Sequence, residues 1–277
     1  MHSMEVTLLG TGDTTGTPTV GCACETCETA RRRGIERSRF SVHVRNRRTD
    51  ESILVDFSPD FRAQFAGETV PLPDAGVITH IHFDHVDGLG NAYRLFDRLP
   101  VYASAASGRE GAPSVARTVA DKYAYLRPVE VIGIEPLAPQ QVCGLELTLV
   151  PVVHPPVQSY GVVIGDPQRD CRVAISGDTA YSIDRAARDA FRGADLFLAD
   201  AIVPAALCDR HPLGGADHTE GGTPRTFGTK HMTREGALAL ADELDVAEVR
   251  LVHTAHFYPP DEAFEAPLAV DGERYLI

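Results

Sequence analysis

The sequence predicts an α/β protein folded as a layered α/β/β/α sandwich, with residues 1–277 in a single domain. Three observations lead to this fold class. Short apolar strands separated by turn residues fill the first half of the chain, and helices alternate with strands in the second half. No change in composition divides the chain, so we expect one domain despite its length.

The first half supplies the strands of one sheet. Predicted strands are rich in β-branched residues and bounded by turns, and they cover 6–9, 41–45, 52–56, 76–78 and 101–103. The segments 59–65 and 114–120 are polar on one side and apolar on the other, which is typical of surface helices. A helix-covered sheet therefore begins at the N-terminus.

The second half continues with strands between 131 and 150, at 160–164 and at 172–176, and then alternates. A helix is expected after Asp184, a strand at 196–200, a helix at 233–244 and a strand at 248–253. Thr233 is a suitable N-cap for the last helix, and its apolar positions recur at helical spacing. That helix should pack on a sheet.

The segment 204–230 interrupts this alternation. It is rich in Gly, Pro, Thr and His, and it is too long for an ordinary connection in a compact domain. We interpret it as a lid or an insertion.

Charge and hydropathy restrict the partners and the compartment. The formal net charge of −13 opposes binding to nucleic acid and favours a small substrate. The apolar stretch at the N-terminus is too short for a signal peptide, and no window approaches the roughly 18 apolar residues of a membrane span. We expect a cytoplasmic protein without a membrane partner.

The motif His80-x-His82-x-Asp84-His85 follows the predicted strand that ends at residue 78 and offers four ligand side chains for divalent metals. Imidazole suits zinc, iron or manganese, and a carboxylate adds affinity for a harder cation. Four such groups within six residues are costly to bury without a metal. The motif therefore predicts a metal site, and we expect a two-metal hydrolase.

Further ligands are available where apolar strands end. His154, Asp178 and His253 each follow such a strand, and strand ends on one edge of a sheet meet in space. Taken singly, either histidine could equally be a core residue, and Asp178 could be a turn residue. Their shared placement favours a binuclear site.

Three of the six cysteines form a second cluster, Cys22-x-Cys24-x-x-Cys27. Because this spacing is tight and no export signal is present, we expect metal thiolates rather than disulfides in the loop 22–27. The other three cysteines are interpreted as buried or idle thiols.

The order of these residues resembles the metallo-β-lactamase superfamily, whose pattern spans nearly the whole chain. The resemblance implies a four-layer αββα sandwich. It also implies that His80, His82 and His154 hold one metal, that Asp84, His85 and His253 hold the other, and that Asp178 bridges both.

Several segments resemble the PhnP-type phosphodiesterases, which act on cyclic phosphoribosyl phosphates and carry a structural zinc. These segments are 9–12, the cysteine cluster, 54–62, 231–233 and 253–256. The resemblance makes His256 the fourth ligand of a structural zinc and places His231 against the substrate phosphate. It also implies a homodimer. On this basis, His231 and Asp84 are the predicted catalytic residues.

The expected activity is hydrolysis of small cyclic or linear phosphodiesters by a hydroxide that bridges two metals. The expected cofactors are two divalent metals in the active site, manganese or zinc with iron as a third option, and one structural zinc. His231 would hydrogen-bond a phosphate oxygen or protonate the leaving alkoxide.

Two other functions remain open. RNase Z-type endonucleases share the metal pattern, but their tRNA-binding arm should be basic, and 104–135 is charge-balanced here. PqqB-like proteins of cofactor biosynthesis or transport share the zinc cluster and resemble 54–62. The intact motif at 80–85 favours a hydrolytic centre over the PqqB-like function.

Overall fold

The computed structural model describes residues 2–67, 70–108, 111–211 and 215–277, whose strands form two large sheets and one small sheet. In chain order the strands are β1 (Met4–Gly10), β2 (Ser41–Asn46), β3 (Ser52–Val55), β4 (Ala75–Val77), β5 (Leu99–Ser104), β6 (Val129–Ile134), β7 (Gln140–Val142), β8 (Leu145–Val152), β9 (Ser159–Asp166), β10 (Cys171–Ile175), β11 (Leu196–Asp200), β12 (Ala216–Glu220), β13 (Thr223–Phe227), β14 (His231–Met232), β15 (Val249–Val252) and β16 (Arg274–Leu276). The α-helices are α1 (Glu25–Arg33), α2 (Phe61–Gly67), α3 (Phe83–Val86), α4 (Ala92–Leu95), α5 (Val115–Lys122), α6 (Arg185–Phe191) and α7 (Arg234–Glu243).

The first sheet has the strand order β16-β1-β2-β3-β4-β5-β6, and the second has the order β15-β11-β10-β9-β8-β7. In each sheet, only the strands in one half of the strand order pair in parallel. β3 through β6 are parallel in the first sheet, as are β10, β11 and β15 in the second. The carboxyl ends of these parallel strands carry the polar residues described below.

Two hydrophobic cores lie on opposite faces of the second sheet. Along β10, Val173 and Ile175 enter the core between the sheets, whereas Ala174 enters the core on the other face. β11 repeats the pattern, with Leu198 in the first core and Phe197 in the second. Successive strand residues alternate faces, so a continuous apolar run indicates a sheet that is covered on both sides.

Helices complete the outer layers. α5 packs on the first sheet with Val119 buried, and α7 packs on the second with Leu240 buried. Thr233 is the N-cap of α7, and its hydroxyl accepts the N–H of Gly236 at 2.9 Å. The predicted αββα sandwich is therefore confirmed.

Some elements depart from the sequence-based expectation. The sequence did not predict helix α1, because charged residues of the helix itself occupy most of its faces. Its N-cap is Cys24, whose sulfur accepts the N–H of Cys27. The segment 204–230 contains the hairpin of β12 and β13, and β13 pairs with β14. Residues 212–214 of that segment lie outside the described residues, and its action as a lid stays a prediction.

None of the helices in the described ranges is long and apolar enough to cross a membrane.

Candidate metal centre

The predicted ligands converge at one edge of the sandwich, where strands of both sheets end. The loop after β4 supplies His80 and His82, and the short helix α3 that follows, rather than the expected loop, supplies Asp84 and His85. The strands β8, β10 and β15 are followed by His154, Asp178 and His253. All of these side chains are buried except that of His82, which is partly exposed. The structure thus brings together residues that are up to 173 positions apart.

The first ligand group contains His80, His82, His154 and Asp178. Nδ1 of His82 lies 3.0 Å from Nε2 of His80 and 3.2 Å from Nε2 of His154. Oδ2 of Asp178 lies 3.6 Å from Nε2 of His80 and 3.9 Å from Nε2 of His154. Ligand atoms about 2.0–2.1 Å from a tetrahedral zinc are about 3.3–3.4 Å apart, so this group could hold one cation.

The second ligand group contains Asp84, His85 and His253. Oδ2 of Asp84 lies 3.5 Å from Nε2 of His85 and 3.6 Å from Nε2 of His253. Oδ2 of Asp178 lies 3.4 Å from each of the same two nitrogens. One oxygen of Asp178 is therefore within reach of both groups, as a bridging ligand requires.

Two buried nitrogen atoms without hydrogen-bond partners indicate whether this donor set fits a metal. Nε2 of His85 and Nε2 of His253 have no hydrogen-bond partner among the described residues. A buried polar atom without a partner costs about 1–3 kcal/mol, and a cation between these nitrogens would remove that cost. The nitrogen and oxygen donors suit zinc, manganese or iron, so the residues fit a pair of divalent cations.

The electrostatics of the centre also favour cations. Burial opposes ionisation of Asp178, yet His253, His85 and His80 lower the pKa of this carboxyl well below its ordinary value. Burial likewise opposes protonation of His85, but the carboxylates of Asp178 and Asp84 raise its pKa well above the usual range. A carboxylate that stays ionised when buried attracts positive charge, whether protons or metal ions.

A hydrogen-bonded chain behind the centre fixes two imidazoles. His85 Nδ1 donates to Oδ2 of Asp56 at 2.6 Å, and the hydroxyl of Thr79 donates to the same oxygen at 2.7 Å. Because the Thr79 hydrogen is committed to Asp56, its oxygen accepts from Nδ1 of His80 at 3.0 Å. In their neutral form, both rings would therefore carry the proton on Nδ1 and leave Nε2 free for a metal.

His231 lies on β14 at the margin of the centre. Its ring packs edge-on against His154, with 4.8 Å between centroids, and stacks on His253 at 5.2 Å. Its Nδ1 donates to Oδ2 of Asp200 at 2.8 Å, and that oxygen also accepts the N–H of Thr179. Burial opposes ionisation of Asp200, but His231 lowers the pKa of its carboxyl below the ordinary value. An ionised Asp200 therefore holds His231 in one orientation.

The cysteine cluster forms a separate group with His256. Nδ1 of His256 lies 3.4, 3.3 and 3.4 Å from the sulfurs of Cys22, Cys24 and Cys27. Zn–S and Zn–N bonds of about 2.3 and 2.0–2.1 Å in a tetrahedron give an S–N separation of about 3.6 Å. Burial raises the pKa of the Cys27 thiol to about 12, so this thiol needs a nearby positive charge to ionise. These four residues could hold a zinc ion that ties the N-terminal loop to residue 256.

Two supporting carboxylates, Asp56 and Asp200, were missed at the level of sequence. Each stands at the end of an apolar strand, which is the same signal that selected His154, Asp178 and His253. Applying that signal to every acidic residue would have found them.

His2, His43, His211 and His218 match no motif position, and the sequence predicts them to be surface residues. The structure corrects this prediction for two of them. His43 is buried at 1% exposure, with its ring edge-on to Phe65. His211 is half-buried against Phe227 and Phe257. His2 is exposed, and the side chain of residue 218 lies outside the described part of the chain.

Comparisons with known proteins identify related sequences. A family model described as a β-lactamase superfamily domain matches residues 51–254. A curated octanoyltransferase of Porphyromonas gingivalis (strain ATCC BAA-308 / W83) is 32% identical over 176 residues, which are 59% of this chain and 33% of that protein. The chain thus matches only about a third of the length of this curated relative.

Solved structures share the fold over almost the whole chain. A crystal structure described as a new diphosphatase from the PhnP family has a TM-score of 0.75 and 26% identity, covering 98% of this chain and 96% of that chain. Zn(2+)-bound PqqB from Methylobacterium extorquens has a TM-score of 0.76 and 20% identity, covering 99% and 100%. Human tRNase Z, short form, has a TM-score of 0.65 and 17% identity, covering 98% of both chains. The last two establish likeness of fold alone.

Proposed function

The chain belongs to the metallo-β-lactamase superfamily of metal-dependent hydrolases, and from this premise we propose that it is a phosphodiesterase acting on small cyclic or linear phosphodiesters. One observation carries the proposal. A histidine held by a carboxylate, His231, stands beside two metal-ligand groups that share Asp178, and its ring also lies within ligand range of Asp178 and His253. A phosphodiester needs both parts, a cationic centre at phosphorus and a proton donor for the leaving oxygen.

The ligand groups define what the chain contributes. His80, His82 and His154 would hold one divalent cation, Asp84, His85 and His253 the other, and Asp178 would bridge them. When bound, such a pair lowers the pKa of a water between the ions and neutralises charge that develops on the phosphoryl oxygens. Manganese or zinc, with iron as a third option, suits this donor set, and the Cys22, Cys24, Cys27 and His256 group suits a structural zinc.

His231 would act on the side of the leaving group. Its Nδ1–H is engaged by Asp200, which leaves Nε2 as the nitrogen that would exchange a proton with the substrate. A proton delivered in this way contributes roughly 10²- to 10⁴-fold to the rate. Asp84 serves the reaction as a ligand, because its carboxylate lies between His85 and His253.

The substrate class is supported by charge and by one neighbour. A net charge of −13 opposes the approach of a long polyanion, which counts against the RNase Z-like alternative. The neighbour at 26% identity is described as a diphosphatase, an enzyme that cleaves a phosphoryl linkage. Cyclic phosphoribosyl phosphates remain the first candidates, and homodimerisation is proposed from family resemblance alone.

The deciding experiment measures hydrolysis of bis(p-nitrophenyl) phosphate by protein loaded with manganese or zinc. We expect turnover of this ester, and we expect turnover of a dialkyl phosphodiester to fall by roughly 10²-fold or more in His231→Ala without loss of bound metal, whereas His2→Ala, at an exposed histidine, leaves both rates unchanged. Metal analysis should give one tightly held zinc and up to two exchangeable cations per chain.

Parallel substrates separate the alternatives. A precursor tRNA tests the RNase Z-like function. An octanoyl thioester tests acyl hydrolysis, which the match to part of an octanoyltransferase makes the second class of chemistry to examine. Bound metals with no turnover of any phosphodiester would contradict the proposal and favour the PqqB-like binding function.

A further inference from the structure

The carboxylate of Asp271 connects two distant segments of the chain and has no assigned role. Its Oδ1 accepts the N–H and the hydroxyl of Thr11, each at 2.8 Å, and its Oδ2 accepts the N–H and the hydroxyl of Ser38, each at 2.7 Å. Such bonds are strong because the acceptor is charged. The N–H of Gly12 also donates to the carbonyl oxygen of Ser38 at 2.8 Å. Asp271 therefore fixes the backbone that follows β1.

The segment fixed by Asp271 supports the backbone that follows β15, an edge strand of the second sheet. The N–H of Thr254 donates to the carbonyl oxygen of Thr11 at 3.1 Å, and the N–H of Asp13 donates to the carbonyl oxygen of Thr254 at 3.2 Å. On the opposite side, the N–H of Ala255 donates to the carbonyl oxygen of Ile202 at 3.0 Å. The backbone just beyond β15 is thus fixed on both sides.

His253 depends on this support because of its backbone conformation. Its φ is +55°, in the left-handed region that is unfavourable for residues other than glycine. A residue keeps such a conformation only where the surrounding contacts determine it. Nε2 of His253 lies 3.6 Å from Oδ2 of Asp84 and 3.4 Å from Oδ2 of Asp178. A change of φ at His253 would move this nitrogen away from the second ligand group.

We propose that Asp271 is a positioning residue for the second ligand group, because it fixes Thr11, and Thr11 in turn fixes Thr254 and the conformation of His253. The inference rests on the metal ligands of the proposed function and is independent of the substrate. Asp271 belongs to none of the ligand groups that the described residues form. Replacing a residue that orients a metal ligand typically lowers metal affinity by about 10- to 100-fold.

Cobalt binding tests this role in protein whose exchangeable metals have been removed. Asp271→Asn keeps the shape of the side chain, but its amide nitrogen faces two of the four donors, so two hydrogen bonds are lost. We expect the affinity for one Co²⁺ ion to fall by about tenfold and the affinity for the other to change by less than about twofold, as measured by equilibrium dialysis. The visible absorption of the bound cobalt should shift as well.

A double variant identifies the ligand through which Asp271 acts. His253→Ala should weaken binding of the same Co²⁺ ion. In a His253→Ala background, Asp271→Asn should cause little further loss, because both changes act through one side chain. A residue that only stabilises the fold would add its own loss to that of His253→Ala.

Matched variants separate positioning from a general loss of stability. Asp166 also accepts a backbone N–H, that of Gln168 at 3.0 Å, but it lies at the end of β9 opposite Ser159, whose hydroxyl donates to the carbonyl oxygen of Asp178. Asp166→Asn should lower Tm without changing cobalt binding. Thr11→Val removes one donor to Asp271 and should weaken cobalt binding by less than Asp271→Asn does. Thr11→Ser keeps that donor and should bind cobalt as the wild type does.

The outcomes separate this inference from the proposed function. Unchanged cobalt binding in Asp271→Asn, or an equal loss in Asp166→Asn, would overturn the role of Asp271. If Asp271→Asn does not fold, equal cobalt binding by Thr11→Val and Thr11→Ser would overturn it instead, as would the absence of cobalt binding to the wild type. If no phosphodiester is cleaved but cobalt binding changes as expected, the phosphodiesterase proposal fails and the role of Asp271 stands.

Discussion

Replacing Asp200 with asparagine tests how His231 is positioned. The side chain keeps its shape and can still accept from Nδ1 of His231, but it loses its charge. In the native protein these atoms are 2.8 Å apart, and Asp200 is only 1% exposed. A hydrogen bond to a charged group in such surroundings contributes about 1.5–3 kcal/mol. Because 1.36 kcal/mol corresponds to a factor of ten in rate, we expect kcat to fall about 10- to 150-fold.

The size of this effect should depend on the leaving group. An alkoxide needs a proton as it departs, whereas p-nitrophenolate leaves readily without one. Asp200→Asn should therefore slow cleavage of a dialkyl phosphodiester by the full factor and cleavage of bis(p-nitrophenyl) phosphate by much less. In a His231→Ala background, Asp200→Asn should cost little more, because both residues act through one proton.

The assay compares kcat for both substrates together with metal content. Asp195→Asn is the matched control, since Asp195 immediately precedes the same strand at its opposite end. Equal losses for both leaving groups with metals retained would refute the assignment of Asp200 to proton donation. Loss of metal would instead show that Asp200 positions the proposed ligand His253. Nδ1 of His253 lies 3.6 Å from Oδ1 of Asp200.

Three further predictions concern the remainder of the molecule. Cys24→Ser should remove one zinc per chain and lower Tm while sparing the exchangeable metals, whereas Cys143→Ser should do neither; metal analysis and thermal unfolding check this. Burial lowers the pKa of His43 to about 4, so the unfolded state binds more protons between pH 6.5 and 4. Stability should therefore fall by about 2–3 kcal/mol as the pH drops through that window, and His43→Leu should reduce this fall in denaturant titrations. A Cβ at Gly236 would overlap the Arg225 carbonyl oxygen, so Gly236→Ala should destabilise the protein by about 3 kcal/mol, while Gly67→Ala, with nothing within 4 Å, should not.

Most of the sheet architecture follows from local patterns in the sequence. The predicted strand 196–200 coincides with β11, and the predicted helix 233–244 matches α7 with Thr233 as its cap. These two predictions succeed for different reasons. A strand that is covered on both faces must be apolar throughout, and a capped amphipathic helix has apolar residues at a distinct spacing. The convergence of the candidate ligands was predictable for a related reason, since they are polar residues placed where apolar strands stop.

The features missed depend on contacts between distant residues. His43 packs edge-on against Phe65 of α2, and nothing near residue 43 signals this contact. α1 begins at a cysteine whose sulfur also approaches His256, 232 residues away. The hairpin of β12 and β13 is stabilised partly by pairing with β14, a strand of two residues that has no pattern of its own. Local propensity is weak in all three cases, and tertiary packing decides the structure.

The proximity of His253 and His256 bears on when the protein can acquire its metals. Both proposed metal systems take a ligand from this four-residue stretch, although their other ligands begin at residues 22 and 80. During synthesis the chain emerges from its N-terminus, so the binuclear ligand set is complete only when residue 253 has left the ribosome, and the cysteine set only when residue 256 has done so. Thiolates and imidazoles are then offered together to whatever cations are available. The cation pool that surrounds the newly completed chain, more than intrinsic affinity, would then select the metals of the folded enzyme.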